Sequence, residues 1–384
     1  MLTRPDRSFP EKFNDTVLNP DQSANTLQPS EEENSSGSWS RSHYETTSSY
    51  PEDGSTHTIE LNVTLPEFHA SYNIPPTGTG VIIYMEKPIE VNPAKSKSAE
   101  YRYCIEASNF GLLPVWAKPH DSSRVKKGNG ASLGPAYSRE VQQHQGKLFN
   151  CRRETLQQSR TVWATPRKHT RCVVPVSGYF EWLNSKQGKT PYFVHSPGQP
   201  LLFLAGLYSH NQNYNDTEMV PKGSKYFSSF SIVTGPATGK GKNDMSWLHS
   251  RKPIFIEPNS KAWFDWLRPD DHWDDSVLET CLNTDTNPVY EDLEWYMVAK
   301  SIGNPINKGP EVIKEEKVKQ KSIASFFQAR GPKEETKKEK EPHNVKDEQK
   351  DGTSPEDVQV KLNSKRSGDL NSGSDLKRVK KEET

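Results

Sequence analysis

The sequence has no apolar run near the ~20 residues needed to span a bilayer. Its first residues, MLTRPDRSFPEKF, hold no apolar stretch of signal-peptide type. Neither a membrane protein nor a secreted one is expected. Cysteine is scarce: Cys104, Cys151, Cys172 and Cys281 lie 47, 21 and 109 residues apart. That spacing makes neither a disulfide framework nor a zinc site, so a reducing compartment is expected and no metal or cofactor is called for. Apolar residues are few, 31% against 26% charged, with 29 prolines and a mean hydropathy of −0.90. So poor a core cannot offset chain entropy over the whole length, and sizeable segments should stay disordered. Net charge is absent too, with 50 basic and 50 acidic side chains, but the balance is uneven. Residues 1–60 hold 4 basic and 11 acidic side chains, residues 315–384 hold 17 and 15, and the middle keeps 29 and 24. A basic centre between charged tails makes polyanions plausible partners.

Residues 1–64 read as low-complexity and mostly disordered, as in SEEENSSGSWSRS. From about Leu65 short runs rich in β-branched and aromatic residues recur between turn signals. They are Val81–Tyr84, Tyr101–Ile105, Cys172–Val176, Tyr192–Val194, Leu201–Leu207, Phe227–Val233 and Ile254–Ile256. A helix is expected after Ser260, with Trp263, Phe264 and Leu267 on one face and Pro269 beyond its end. A second is expected within Arg139–Gln158, and residues 86–100 and 118–147 read as polar insertions. Strands outnumber helices without alternating with them. The fold class is therefore α+β: one domain over 65–310 on a mainly antiparallel, barrel-like sheet, with a solvated tail over 311–384.

The densest chemical signals run from Asn150 to Glu181. Arg152, Arg153, Arg160, Arg167, Lys168 and Arg171 crowd twenty residues around Trp163, opposed only by Glu154. Arginines interleaved with an aromatic suit phosphate contacts and base stacking, as in single-strand binding. The same pattern also describes a solvated, partly salt-bridged surface. In Ser-Gly-Tyr-Phe-Glu-Trp (177–182), Glu181 lies among aromatics. Desolvation there would raise its pKa and suit it to proton transfer, unless it is simply exposed on an edge strand. His249 precedes Arg251 and Lys252, two cations that could hold a phosphate beside it; a lone His can equally be structural.

These residues form an ordered set: Tyr72–Thr77, Phe110–Trp116, Asn150–Thr155, Gly178–Trp182, Leu204–Leu207, His249–Pro253 and Ile302–Asn304. The set resembles the SOS response-associated peptidase (SRAP) family, whose eukaryotic members are abasic site processing proteins. The resemblance implies binding of single-stranded DNA and capture of the ring-opened aldehyde of an abasic site. The agent in the family is a cysteine made N-terminal by removal of the initiator Met. Its amine forms an imine and its thiol closes a thiazolidine, a covalent cross-link with peptidase-like and lyase-like associations. The resemblance also implies that Asn150 orients the terminal residue, Glu181 moves protons there, and His249 assists ring opening and reversal. Arg152, with Arg153, Arg160, Arg171, Arg251 and Trp116, would contact DNA. Leu2 stands where the family has its cysteine, and no Cys-Gly-Arg follows Met1. Two readings stay open: a missing first exon, which the retained Asn150, Arg152, Glu181 and His249 favour, or a relative that binds without cross-linking.

The tail carries two further signals. Gln320, Ile323, Phe326 and Phe327 have the spacing of a sliding-clamp (PCNA) interacting peptide, in which one helical turn presents a hydrophobic plug. Lys317, Lys319 and Lys321 beside it suit an acidic clamp surface. Lys365 and Arg366, then Lys377, Arg378, Lys380 and Lys381, resemble a bipartite signal for a nuclear import receptor, which would place the protein in the nucleus. A plain charged tail is the other reading.

Overall fold

The structure, a computed structural model, describes residues 28–33, 39–49, 56–66, 71–86, 101–120, 137–220, 224–239, 243–268 and 273–316, with backbone alone up to residue 66. The strands are β1 (Gln28–Glu33), β2 (Trp39–Ser49), β3 (Thr56–Pro66), β4 (Thr79–Glu86), β5 (Tyr101–Phe110), β6 (Asn150–Arg152), β7 (Arg171–Val176), β8 (Tyr179–Ser185), β9 (Gly188–His195), β10 (Leu202–Asn211), β11 (Phe227–Pro236), β12 (Arg251–Pro253) and β13 (Glu294–Met297). The helices are short: α1 (Ser138–Gln145), α2 (Pro166–His169), α3 (Lys261–Leu267) and α4 (Ser276–Thr280). The α+β class with a mainly antiparallel sheet is what the structure has.

The main sheet runs β1-β2-β3-β5-β4-β7-β10-β11-β12, with β6 also beside β11. Because β5 pairs with β11 as well, β5, β4, β7, β10 and β11 close into a ring. The ring is antiparallel except where β5 and β6 meet β11, and β3 joins β5 in parallel. A smaller antiparallel sheet, β13-β9-β8, carries Glu181.

Strands of the ring are buried along nearly their whole length, which is why they read as apolar runs rather than as alternation. Successive residues go to different cores. Val81, Ile83 and Met85 of β4 join one cluster, with Trp263 and Trp266 of α3. Ile82 and Tyr84 join another, with Tyr179, Phe230 and Phe255. Both tryptophans of α3 are buried with their indole N–H satisfied. Trp263 donates to the Tyr103 hydroxyl at 2.8 Å and Trp266 to the Cys172 carbonyl at 2.8 Å. The Ser260 hydroxyl accepts the Trp263 amide at 3.2 Å, so α3 starts where its cap was expected.

Three differences from the sequence reading have physical causes. β1, β2 and most of β3 occupy part of the stretch before Leu65. Averaged composition there conceals Ile59, Leu61, Val63 and Leu65, spaced at the strand period of two. The helix expected over Arg139–Gln158 ends at Gln145, and β6 follows, because Asn150–Arg152 pair in parallel with Ile232–Thr234. The run Ile254–Ile256 makes only an isolated bridge, Phe255 to Leu204, and the strand lies just before it, at Arg251–Pro253. Residues 320–327 and 365–381, with the clamp-type and import-type motifs, lie outside the described residues.

Candidate active site

One cleft of about 490 Å³ gathers the residues the sequence nominated for chemistry: Asn150, Arg152, Glu181, His249 and Arg251 all line it. They come from four elements separated in sequence. On β6 the strand period puts Asn150 and Arg152 outward and Cys151 into the core. The Arg152 guanidinium has no hydrogen bond or ion pair among the described residues, so the cleft holds an uncommitted cation. Glu181 lies in β8, between Phe180 and Trp182. It is half-buried, and its Oε1 accepts the Trp182 amide at 3.0 Å. The approach of β8 depends on Gly178: a Cβ there would lie 2.4 Å from Phe193 Cζ and 2.6 Å from the Val194 carbonyl oxygen.

His249 ends a tight turn. The Asp244 carboxylate accepts the amides of Gly239 and Ser246, Met245 takes φ of 65°, and the Leu248 and His249 amides donate to the Met245 carbonyl. Positive φ at a buried Met is a strained conformation that the surrounding bonds enforce. The imidazole Nδ1 lies 2.9 Å from the Arg251 carbonyl oxygen and 3.1 Å from its amide nitrogen. Whichever tautomer is present, Nδ1 is held by backbone. Nε2 has no hydrogen bond among the described residues and is the nitrogen available for acid–base work.

Arg251 forms a two-pronged pair with Glu154, at 3.1 and 3.0 Å, and also donates to the Thr234 hydroxyl and carbonyl. Partial burial pushes the Glu154 carboxyl up. The hydrogen bonds and charge of Arg251, with its own amide and the charge of Arg153, outweigh this and hold it below its ordinary value. Lys252, expected beside Arg251 as a phosphate-holding cation, borders the cleft, but its ammonium turns inward. It is only 2% exposed, with its ammonium 3.7 Å from the centre of the Tyr290 ring and no hydrogen-bond partner among the described residues. Burial pushes this amine down, against the opposing charges of Asp244 and Asp285.

The other nominated cations and Trp116 lie elsewhere. Arg171 is buried, and its nitrogens donate to the carbonyls of Trp266, Arg167, Lys168 and Arg268. It ties α2 and β7 to the end of α3 and does not line the cleft. Arg153 donates to the Leu278 carbonyl at 2.9 Å and to Glu279 at 2.8 Å, which anchors it on α4. Arg160 is exposed but is not among the lining residues, and Trp116 stands 63% exposed with its ring nearly perpendicular to that of His144. The cation cluster is thus part anchor and part surface, and only Arg152 of it reaches the cleft. Thr234, on β11, lines the cleft with no signal in the sequence to mark it.

All four cysteines are buried and free. Burial pushes the Cys151 thiol up to about 12 and Cys281 to about 11, and it raises Cys104 and Cys172 well above the ordinary value. None is poised as a thiolate. Among the described residues no group of three or more His, Cys, Asp or Glu could hold a metal, and no helix is long and apolar enough to cross a membrane.

The SOS response associated peptidase (SRAP) family model matches residues 42–305, well over half the chain. The chain belongs to the SRAP family. Abasic site processing protein YMR114C of Saccharomyces cerevisiae is 31% identical over 271 residues, 70% of this chain and 58% of that protein. Abasic site processing protein HMCES of Xenopus tropicalis is 23% identical over 219 residues, 52% of this chain and 55% of that protein. The SRAP chain thus spans less than two thirds of the length of these relatives. The crystal structure of a protein from Bacteroides thetaiotaomicron matches with a TM-score of 0.42 at 17% identity, covering 61% of this chain and 80% of that one.

Proposed function

We propose that this SRAP chain is an abasic-site processing protein that binds single-stranded DNA in the cleft and works in the nucleus at replication forks. The observation that carries the reading is the meeting of Asn150, Arg152, Glu181 and His249 in one cleft from three separate elements. Arg152 supplies a cation for a backbone phosphate. Glu181 and the unengaged Nε2 of His249 supply two groups able to accept and return protons beside it.

The chemistry proposed is that implied by the family resemblance. A terminal amine adds to the C1′ aldehyde of the opened sugar, water leaves, and the imine is closed by the thiol of the same terminal cysteine. Such an amine titrates near pH 8 and so needs a proton acceptor at neutral pH, a role for Glu181. His249 would protonate the departing sugar oxygen. The buried thiols of Cys104, Cys151, Cys172 and Cys281 are not candidates for this step. A second reading rests on those buried thiols: a reader of abasic single strands that holds them without a bond. In either case the motif at Gln320, Ile323, Phe326 and Phe327 would tether the domain to PCNA, raising its local concentration where template strands are exposed.

The test is intact mass and N-terminal sequencing of the endogenous protein, before and after incubation with abasic single-stranded DNA. A mature Cys-Gly-Arg terminus with a mass gain equal to the oligonucleotide is the expected result. A Met1 terminus with salt-dependent binding but no adduct would favour the second reading. Absence of single-strand binding would overturn both.

A further inference from the structure

Two tryptophans stand exposed among the described residues, Trp116 and Trp247, and Trp247, at 42% exposure, was not among those the sequence nominated. It lies two residues before His249, on the turn strained at Met245. It is packed rather than loose: the Tyr192 ring meets it edge-on at 5.2 Å and Trp295 lies tilted at 5.5 Å.

The register of the small sheet places this group relative to the cleft. Glu181 of β8 is directly opposite Tyr192 of β9, and Val194, two residues on, is opposite Trp295 of β13. Directly opposed residues share a face, and so do residues two apart. Glu181, Tyr192 and Trp295 therefore lie on one face of this sheet, and Trp247 packs on the aromatic part of it. The aromatic shelf starts beside Glu181, which lines the cleft, and its Trp247 shares a turn with His249, which lines it too.

We propose that Trp247, backed by Tyr192 and Trp295, is a stacking platform for an unpaired nucleobase that flanks the nucleotide held in the cleft. The proposal rests on the reading of the cleft as a single-strand site. A partly exposed aromatic side chain, fixed by two neighbours and two residues from the cleft-lining His249, matches a ligand that alternates flat π-surfaces with phosphates. A base stacked on Trp247 would also fix which neighbour of the abasic position is gripped, and so the direction in which the strand crosses Glu181.

The experiment measures binding of the full chain to single strands carrying a central tetrahydrofuran abasic analogue. In companion strands the base on one flank or the other is removed as well. The wild type should lose about 5- to 150-fold in affinity on removal of the base from one flank only. Trp247→Ala should lose a similar factor on the base-bearing strand and no longer distinguish the flanks. Trp247→Phe, which keeps the packing on Tyr192 and Trp295, should retain most of the discrimination and guards against misfolding of the alanine variant. If both variants hold the wild-type thermal midpoint and bind all strands as the wild type does, while Arg152→Ala weakens every strand, the shelf is refuted and the cleft reading stands. If the wild type binds none of the strands, the cleft reading fails and the shelf with it.

Discussion

Arg171 and Arg152 lie nineteen residues apart in one basic stretch, and their opposite surroundings predict effects that a pair of alanine substitutions can separate. The Arg171 guanidinium is buried and donates to four backbone carbonyls, at 2.6 Å to Trp266, 2.8 Å to Arg167, 3.1 Å to Lys168 and 2.6 Å to Arg268. Hydrogen bonds from a charged donor contribute about 1.5–3 kcal/mol each, but bonds sharing one side chain do not add in full. Arg171→Ala also leaves acceptors at the ends of α2 and α3 without their donor, for a total of about 3–5 kcal/mol. Against a typical domain stability of about 5–15 kcal/mol this is a large fraction, and a fall in Tm on the order of 10 °C follows for a domain this size. Arg152 is exposed on the cleft and bonded to none of the described residues, so Arg152→Ala should shift stability by no more than about 0.5 kcal/mol. Its effect should fall on single-strand affinity, with the slope of log affinity against log salt reduced by about one phosphate contact. Urea unfolding and a salt series of DNA titrations on both variants make the comparison. An Arg171→Ala protein with a wild-type urea midpoint and weakened DNA binding would show that the assignment of the two arginines is reversed.

Gly178→Ala should cost about 1–3 kcal/mol, because its Cβ would meet Phe193 Cζ at 2.4 Å; it should also displace Glu181 and weaken any adduct formation more than DNA binding. Thermal unfolding and denaturing-gel assays on the same preparation check this. Iodoacetamide at pH 8 should label none of the four cysteines in the folded protein at the rate seen in urea, since burial raises all four thiols, and Cys151→Ala should leave DNA binding unchanged. Burial pushes Glu106 up, but the charge and hydrogen bond of His210, with bonds from Ser228 and Tyr84, hold it below 4.5. A depressed folded value stabilises the protein above the unfolded value and is lost as pH falls through the folded one. Glu106→Gln should therefore lower the urea midpoint at pH 7 and flatten its decline below about pH 4.5; an unchanged acid limb would contradict this.

The α+β class, most ring strands, the capped start of α3 and the cleft residues Asn150, Arg152, Glu181 and His249 were legible in the sequence. Each leaves a local trace: an apolar run between turn residues, a serine before three large apolar residues, or a short block of distinctive residues. β3 was missed because its alternation sits within a polar stretch whose average conceals it. Arg171 and Lys252 were misplaced for a different reason. Formal charge is visible in a sequence, but whether a cation faces water or carbonyls depends on which residues pack across it. Trp266 and Arg268 meet Arg171 from almost a hundred residues away, and Tyr290 meets Lys252 across the core. Trp247 shows the same limit from the other side. Its chain neighbour His249 drew notice, while the aromatic shelf exists only because β9 and β13 bring Tyr192 and Trp295 beneath it. Residue types and their short-range spacing set the strands, the caps and the chemical groups on offer. Which of those groups share a cleft was decided by long-range strand pairing, because the free energy that selects a register comes from burying whole faces and is not written in any one segment.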